Sequence, residues 1–309
     1  MKKCKLLITG VGGFIGSRVA EKCVAHGFQV VGVDDFSQGF LFNVPDGVEL
    51  IKGDLSEVDL YRKIPTDCTH ILHLAGQSSG EISFDNPLDD LRKNTSTTIR
   101  LVEFANANNV RQFMLASSMS VYGDVADTPI DIGVCAKPLS CYGVGKLAAE
   151  SYLKILACHC SYVIFRMFNV YGPGQNLDNL RQGMVSIYLS QAVRSGEILV
   201  KGSVSRFRDF IHVDDVAQAW FGAIDNDAVM GRTINLGTGR RTTVEELLDL
   251  ICSEKPGASY RVEGATPGDQ SGIFAAVDME LLAKLGLSSF IPLQVGIKDF
   301  VKWAETQSV

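Results

Sequence analysis

Short apolar runs alternate with amphipathic stretches through the first half of this 309-residue chain. Apolar runs bounded by glycine, aspartate or serine predict buried parallel strands, and apolar positions three or four residues apart predict the helices between them. The predicted strands cover residues 4–8, 29–33, 48–52, 69–74, 112–116 and 162–167. The predicted helices start at residue 14 and cover 58–64, about 86–108 and 143–157. Strands and helices that alternate at this spacing form right-handed crossovers, so the pattern predicts an α/β fold with a doubly wound parallel sheet.

The pattern changes at residue 171, and glycine, proline and asparagine are frequent from there to residue 180. A stretch of this composition predicts a loop, and we interpret it as the passage into a smaller C-terminal α/β lobe. This lobe is predicted to contain helices over 184–194 and 214–224 and strands over 198–201 and 233–236. A capping box of Thr243 and Glu246 predicts the start of another helix, which ends near Cys252. A last helix is predicted over 293–305. We therefore expect one domain at 1–170, joined by parts of 209–226, and a second lobe mainly at 171–309.

Composition and charge exclude several classes of protein. Hydrophobic residues make up 46% of the chain and charged residues 21%, as in ordinary globular proteins. The formal net charge of −6 is spread along the chain and Lys2-Lys3 is an isolated basic pair, which argues against a nucleic-acid partner. The apolar start is too short for a signal peptide, and no apolar run approaches the roughly 20 residues of a membrane span. We therefore expect a cytoplasmic protein without a membrane partner.

Eight cysteines are spread through the chain without the spacing of a metal site. Cys158-His159-Cys160 offers part of a ligand set, but no second cluster at ligand spacing completes a tetrahedral site. We therefore expect no metal and predict that the cysteines are reduced and structural.

The stretch 4–16 has the features of a nucleotide-binding turn, because a buried strand runs into glycines and a helix follows at once. Gly10 and Gly13 let the backbone approach a pyrophosphate closely, since they carry no Cβ atoms. Gly16 lets the helix pack on the strand and direct its free N–H groups at the phosphates. By itself, a glycine-rich turn could be only a turn.

An acidic residue after the second strand strengthens this interpretation. Asp34 follows Gly16 by 18 residues, and its carboxylate can accept hydrogen bonds from both hydroxyls of an adenosine ribose. A 2′-phosphate would be repelled there, so NAD is favoured over NADP, and the whole unit predicts a Rossmann-type NAD-binding domain. Because ligands bind beyond the carboxyl ends of such strands, Asp54, Gly76 and Ser118 are predicted to share the same crevice.

Tyr142 and Lys146 lie one helical turn apart, so both project from the same face of a predicted helix. Half-ionisation of a tyrosine at pH 7 costs about 4 kcal/mol, and a cation about 4 Å away in an effective dielectric near 20 supplies roughly that amount. Lys146 is therefore expected to make Tyr142 a general base, and Ser118 could pass it the substrate proton. Taken alone, the pair would be a solvated helix face and Ser118 a strand-end hydroxyl, but the dinucleotide fold favours catalysis.

Together these motifs resemble the extended short-chain dehydrogenase/reductase family, and within it the NAD-dependent nucleotide-sugar epimerases of the UDP-glucose 4-epimerase type. The resemblance covers nearly the whole chain. The stretches that carry it are Gly10 to Gly16, Ser117-Ser118-Met119-Ser120-Val121-Tyr122-Gly123, Tyr142 with Lys146, Phe168-Asn169-Val170-Tyr171-Gly172-Pro173-Gly174, and Arg208-Asp209-Phe210-Ile211-His212-Val213-Asp214-Asp215-Val216.

The resemblance implies a set of site residues beyond those found from the residues themselves. It assigns cofactor binding to Gly10, Gly13, Phe14, Ile15, Gly16, Asp34, Asp54, Leu55, Ala75, Gly76, Asn94, Tyr142 and Lys146. It assigns substrate binding to Ser118, Tyr142, Asn169, Arg208 and Asp269. Within these sets, Asn94 would support the cofactor region from the helix beneath it, and the guanidinium of Arg208 would hold the diphosphate. A homodimer paired through the helix near 90–108 and the Tyr142 helix is expected on the same ground.

Two departures from the family pattern bear on the reaction. The late turn reads Thr266-Pro267-Gly268-Asp269, where the family usually has an arginine first, so the diphosphate is expected to depend on Arg208, with Arg181, Arg206 or backbone amides as further candidates. Sugar-nucleotide dehydratases and decarboxylating relatives carry an acid just after the strand-five hydroxyl, where this chain has Met119 and Ser120. Elimination and decarboxylation are therefore disfavoured.

The resemblance thus predicts a 4-epimerase of a nucleoside-diphosphate hexose, with UDP-glucose or UDP-N-acetylglucosamine as substrate and a role in polysaccharide biosynthesis. Tyr142 would remove the hydroxyl proton as NAD takes hydride at C4, and the 4-keto sugar would receive the hydride on its other face. The alternatives are a 4-keto-sugar reductase or dehydratase of the same family and an inactive NAD-binding regulator.

Overall fold

The computed structural model describes residues 4–125, 128–264 and 272–307. Its strands are β1 (Lys5–Thr9), β2 (Gln29–Asp34), β3 (Val48–Lys52), β4 (His70–His73), β5 (Gln112–Ser118), β6 (Ser161–Met167), β7 (Asn169–Tyr171), β8 (Glu197–Lys201), β9 (Phe207–Arg208), β10 (Phe210–His212), β11 (Arg232–Leu236), β12 (Thr242–Thr243) and β13 (Ser259–Glu263). Its α-helices are α1 (Phe14–Ala25), α2 (Pro87–Leu91), α3 (Thr97–Ala107), α4 (Cys141–Leu156), α5 (Met184–Arg194), α6 (Val213–Gly222), α7 (Val244–Glu254), α8 (Met279–Lys284) and α9 (Leu293–Gln307).

A seven-stranded parallel sheet forms the centre of the molecule, in the order β11-β6-β5-β4-β1-β2-β3. Apolar side chains cover both of its faces, and β4 and β5 are buried at every residue. The order reverses between β1 and β4, which opens a crevice at the carboxyl edge of the sheet. The predicted doubly wound Rossmann-type fold is confirmed.

The strand predicted at 233–236 is part of this central sheet, and its placement in the second lobe was wrong. β11 pairs in parallel with β6 over its whole length, and Ile234 and Leu236 are buried in the same core as α1. The chain therefore returns to the first domain after it has left it. Sequence order alone could not reveal this return, because the pairing joins residues about 70 positions apart.

Elements of the C-terminal part pack around a separate core. β8 pairs with β13, and α5, α7 and α9 enclose apolar residues that include Leu189, Leu247 and Phe300. Two short ladders lie between this core and the central sheet, where β10 pairs with β7 and β9 pairs with β12. These ladders hold the Arg208 segment beside the crevice.

Two predicted helices differ in detail from the structure. Val58–Lys63 is a 3-10 helix, and the long helix predicted near 86–108 is interrupted by a π-helical turn at Arg92–Ser96. Such turns are often found at functional sites, and this one contains Asn94. Within the described ranges, no helix has both the length and the apolar composition that a bilayer crossing requires.

Candidate active site

A cavity of about 510 Å³ lies between the carboxyl edge of the sheet and the loops of the C-terminal part. This volume is in the range of small-molecule and cofactor sites. The loop at 174–176 and the start of α5 also line it. The predicted site residues that line it are Gly10, Gly13, Phe14, Ile15, Gly16, Asp34, Asp54, Leu55, Ala75, Gly76, Ser118, Tyr142, Lys146 and Asn169.

The first turn of α1 opens into this cavity with its backbone N–H groups free of side-chain caps. Gly13 is the N-cap and forms no side-chain hydrogen bond, and no acidic residue lies in the first turn. A Cβ at Gly16 would overlap the carbonyl oxygen of Gly10, and a Cβ at Gly10 would lie 2.8 Å from the Ala75 nitrogen. The turn is therefore a close-packed cradle with the positive end of a helix dipole, which suits the pyrophosphate of a dinucleotide.

Asp34 lies at the end of β2 on the wall of the same cavity. Its carboxylate accepts hydrogen bonds from the backbone N–H groups of Gly12 and Phe36, both at 2.8 Å. Burial raises the pKa of this carboxyl group, and the two backbone N–H groups oppose the shift. The carboxylate lines the cavity, where the hydroxyls of a ribose could donate to it. The residues present therefore fit the dinucleotide predicted from the sequence.

Ser118, Tyr142 and Lys146 meet beside this cradle. Ser118 is the last residue of β5 and accepts a hydrogen bond from the Ser120 backbone at 3.1 Å. Ser140 caps α4 by accepting from the Gly143 backbone, which fixes the first turn of the helix that carries Tyr142. The Lys146 nitrogen is 5.7 Å from the centre of the Tyr142 ring. The strand and the helix thus bring together three groups that sequence spacing only suggested.

Electrostatics at this site differ from the sequence expectation. Burial raises the pKa of Tyr142 to about 12, and the nearby Ser118 hydroxyl only partly opposes the shift. Burial also lowers the pKa of Lys146 to about 8, so the lysine holds its own proton less firmly. In the protein without its cofactor, the pKa of Tyr142 thus lies above its ordinary value and not below it as expected, because desolvation of the phenolate dominates.

Asn94 lies behind the cavity wall. Its amide nitrogen donates to the carbonyl oxygen of Gln77 at 3.0 Å and to Asp90 at 3.1 Å. Its side-chain oxygen is buried and has no hydrogen-bond partner within the part of the chain that the structure describes. Asn94 therefore anchors the turn after β4, and it does not itself line the cavity, so its support of the cofactor stays a prediction.

Sequence reasoning missed a buried pair beneath the cradle. The hydroxyl of Thr9 accepts hydrogen bonds from the backbone N–H groups of Leu74 and Ala75, and it contacts Nδ1 of His73 at 2.8 Å. Since the hydroxyl already accepts two bonds, its proton points at Nδ1, and His73 is neutral with its proton on Nε2. Burial lowers the pKa of His73 to about 3. The one available signal was a polar residue at the end of each of two adjacent apolar strands.

Asn169 and Arg208, two of the residues predicted to bind substrate, line two adjoining cavities. The Asn169 amide lines the main cavity and donates to the Asp209 carbonyl oxygen at 3.0 Å. Arg208 lies in an adjoining cavity of about 220 Å³ that Met119 and Ser120 also line. Its guanidinium donates to the Phe207 carbonyl oxygen at 2.7 Å.

The other arginines considered for the diphosphate are engaged elsewhere. Arg181 forms ion pairs with Glu81 and Asp85 at 2.7 and 2.6 Å on the surface. Arg206 donates to the carbonyl oxygens of residues 201 and 203. Of the three arginines, Arg208 is the one that lines one of the two cavities described, beside Met119 and Ser120. Asp269 and Thr266 lie outside the described residues.

A cysteine, a histidine and an aspartate meet at the opposite end of the sheet. Donor atoms of Cys4, His70 and Asp225 lie within 4.8 Å of one another. The guanidinium of Arg111 lies 3.3 Å from the Cys4 sulfur and 3.4 Å from an Asp225 oxygen. A cationic side chain thus already neutralises this cluster, which the sequence analysis did not foresee.

Comparison with known proteins gives one family and several relatives. A family model described as "NAD dependent epimerase/dehydratase family" matches residues 6–237. The UDP-glucose 4-epimerase of Mycolicibacterium smegmatis is 35% identical over an alignment of 255 residues that covers 79% of this chain and 80% of that protein. The UDP-glucose 4-epimerase of Thermotoga maritima, solved with UDP-glucose, has a TM-score of 0.92 at 28% identity and covers 99% of this chain and 100% of its own. MoeE5, solved with UDP-glucuronic acid and NAD, has a TM-score of 0.86 at 30% identity, with 99% and 100% covered.

Proposed function

The chain belongs to the NAD dependent epimerase/dehydratase family, and on that premise we propose that it is a 4-epimerase of a nucleoside-diphosphate hexose, with UDP-glucose or UDP-N-acetylglucosamine as substrate. The observation that carries the proposal is the meeting of Ser118, Tyr142 and Lys146 beside the uncapped end of α1. An acid–base group next to a dinucleotide-binding turn can oxidise an alcohol reversibly, because one takes the proton and the other binds the hydride acceptor.

In this mechanism the residues of the chain take one proton from the sugar and later return it to the sugar. Tyr142 removes the proton from the C4 hydroxyl, directly or through Ser118, and returns it after the sugar has turned over. Bound NAD supplies the hydride acceptor and donor for C4. Lys146 stabilises the phenolate when it forms, because a buried ammonium next to a developing negative charge lowers its energy. The cycle leaves no net oxidation, so the cofactor is not consumed.

The substrate side of the cavity supports a diphosphate ligand. Arg208 presents a guanidinium beside Met119 and Ser120, and Asn169 offers an amide on the main cavity wall. A planar guanidinium pairs well with phosphate oxygens. We therefore assign the diphosphate to Arg208 and the sugar to the space between Asn169 and Tyr142.

The residues that follow Ser118 favour epimerisation over elimination. Met119 and Ser120 provide no carboxylic acid at the positions where dehydration would need one. The family leaves the identity of the sugar open, since MoeE5 was solved with UDP-glucuronic acid and also with UDP-glucose. A reductase of 4-keto sugars would use the same three residues, and an NAD-binding regulator would need none of them.

Product analysis tests the proposal. Purified protein is incubated with UDP-glucose, UDP-N-acetylglucosamine or UDP-glucuronate, with no added cofactor, and the C4 epimers are separated by chromatography. We expect epimer formation from one of the first two sugars and none from the Tyr142→Phe variant. Consumption of added NADH by a 4-keto sugar would establish the reductase instead. NAD binding without any turnover would establish the regulator.

We also propose that the protein acts as a cytoplasmic homodimer. The outer faces of α2 and α4 expose large apolar side chains, with Leu88 at 77%, Val144 at 54% and Ile155 at 74%. Neighbouring helices with such faces suit a second copy of the chain. Light scattering after gel filtration should give a dimer mass for the wild type and a monomer mass for Ile155→Asp. Val58→Asp, at a 62% exposed position elsewhere, is the control.

A further inference from the structure

Lys146 is buried among four titratable side chains. It is 5% exposed, its nitrogen lies 5.7 Å from the centre of the Tyr142 ring, and its charge interacts through space with Asp90 on α2, Glu150 on its own helix and His73 on β4. Burial lowers the pKa of Lys146 to about 8, whereas Asp90 and Glu150 oppose that shift. The proposed mechanism needs Lys146 as an ammonium. The group that keeps this lysine charged therefore sets the fraction of the protein that is ready to react.

Two of these neighbours are unsuited to that role. His73 is neutral, since the Thr9 hydroxyl donates to its Nδ1 and burial lowers its pKa to about 3. Glu150 is 1% exposed and already receives two hydrogen bonds from the Arg166 guanidinium, at 2.9 and 2.7 Å. The Arg166 guanidinium therefore compensates most of the negative charge of Glu150, which weakens the attraction between Glu150 and Lys146.

Asp90 differs because its hydrogen-bond partner is neutral. It is 2% exposed and accepts from the Asn94 amide at 3.1 Å. Its other oxygen lies 3.1 Å from the point where a Cβ at Gly145 would stand, so the carboxylate is pressed against the turn of α4 that carries Lys146. Asn94 is itself anchored to the Gln77 carbonyl oxygen, which fixes the carboxylate in this orientation.

We propose that Asp90 is a positioning residue that keeps Lys146 in its charged form, and that the absence of a side chain at Gly145 is what allows the carboxylate to approach. The inference extends the proposed function to the residue that supports its lysine. It concerns the charge of Lys146, which can be measured without any substrate. Asp90 also raises the pKa of Tyr142. Replacing it should therefore lower the Tyr142 pKa directly and raise it indirectly, through a less charged Lys146. Its effect on Lys146 has one direction, a lower pKa.

The test follows the lysine directly. Protein labelled with ¹³C at the lysine Cε is titrated by NMR, and the Lys146 signal is assigned by its loss in Lys146→Arg. Asp90→Asn keeps the shape of the side chain and an oxygen that can accept from Asn94, but removes the charge. We expect the midpoint of Lys146 to fall from near 8 by about one unit or more, since a nearby opposite charge shifts a pKa by that much. Asp59→Asn, on the distant surface, should leave it unchanged.

A second measurement needs no change at Asp90. In wild-type protein labelled at the aspartate carboxyl carbon, the Asp90 signal should show an inflection at the pH where Lys146 titrates. That inflection should vanish in Lys146→Met. An unchanged Lys146 midpoint in folded Asp90→Asn, or an Asp90 signal that is flat through that pH range, would overturn the inference. Absence of epimer products together with the expected titrations would reject the proposed function and leave the Asp90–Lys146 coupling intact.

Discussion

The two walls of the main cavity are built in different ways. The cofactor wall, formed by residues 10, 13–16, 34, 54–55 and 75–76, consists of strand ends and the first turn of a helix. The substrate wall, formed by residues within 169–185 and by Phe210, and continued by Arg208 in the adjoining cavity, consists of loops, short ladders and the start of α5. The first wall uses backbone groups that neighbouring residues position, while the second uses side chains that distant pairings hold. A binding site that is built from backbone groups therefore depends on the local sequence. A binding site that is built from side chains of remote segments depends on the topology of the fold.

Two helix N-termini show the same contrast at smaller scale. α7 begins with a complete capping box, in which Thr243 and Glu246 satisfy each other's backbone N–H groups. α1 begins at Gly13 with no side-chain cap and no acid in its first turn. A helix end that lacks its own cap and faces a cavity is suited to an external anion. The difference separates a structural helix end from a ligand-binding one.

The largest effect is expected where the walls meet, at Tyr142. Tyr142→Phe removes the proton-transfer group but keeps the ring, so turnover should fall by about 10²- to 10⁴-fold while NAD binding is retained. Turnover is measured as epimer formed per unit time, and NAD binding by calorimetry. Tyr260→Phe, on β13, is the matched control. Turnover that survives Tyr142→Phe would remove the catalytic role of the residue.

The next effect tests the backbone-made wall. Gly16→Ala places a Cβ against the Gly10 carbonyl oxygen, so the turn must shift, and such overpacking costs about 1–3 kcal/mol. We expect the dissociation constant of NAD to rise about tenfold to hundredfold, as measured by calorimetry. Gly13→Ala should have a smaller effect, because its Cβ would lie 3.1 Å from the same oxygen. Equal affinities for both variants would mean that close packing of this turn does not limit binding.

A smaller effect is expected on the substrate wall. Arg208→Gln removes a charged donor, which is worth about 1.5–3 kcal/mol, so the KM for the sugar nucleotide should rise about tenfold or more. The dissociation constant of NAD should not change, because Arg208 lies outside the cofactor wall. Arg240→Gln, at an exposed position, is the control. A loss of NAD affinity in Arg208→Gln would show that the two walls are not independent.

The smallest effect concerns stability beneath the cofactor wall. The pKa of His73 is about 3 in the folded protein, below the ordinary 6.5, so the unfolded chain binds the extra proton between these values. Stability from His73 is therefore present above pH 6.5 and is lost as the pH falls, by about 1 kcal/mol between pH 7 and pH 5.5. His73→Gln keeps an acceptor for the Thr9 hydroxyl and should show less acid destabilisation in denaturant unfolding. His159→Gln, on the exposed surface, should behave as the wild type; an unchanged pH slope in His73→Gln would contradict the assignment.

The sequence by itself determined the cofactor wall. A buried strand, the glycines up to Gly16, a helix and Asp34 specify one another within about 30 residues, because chain geometry over that distance leaves few arrangements. The parallel sheet followed from the alternation of elements in the same way. Tyr142 and Lys146 could be paired from helical spacing alone.

Only the tertiary structure decided which distant groups meet and how burial changes them. The return of β11 to the central sheet, the approach of Asp90 to Gly145 beside Lys146, and the ion pair of Arg181 with Glu81 depend on contacts between remote segments. The raised pKa of Tyr142 depends on desolvation, which no spacing along the chain reports. Local sequence fixes backbone geometry because the allowed conformations are few, whereas burial and long-range contact exist only after the chain has folded.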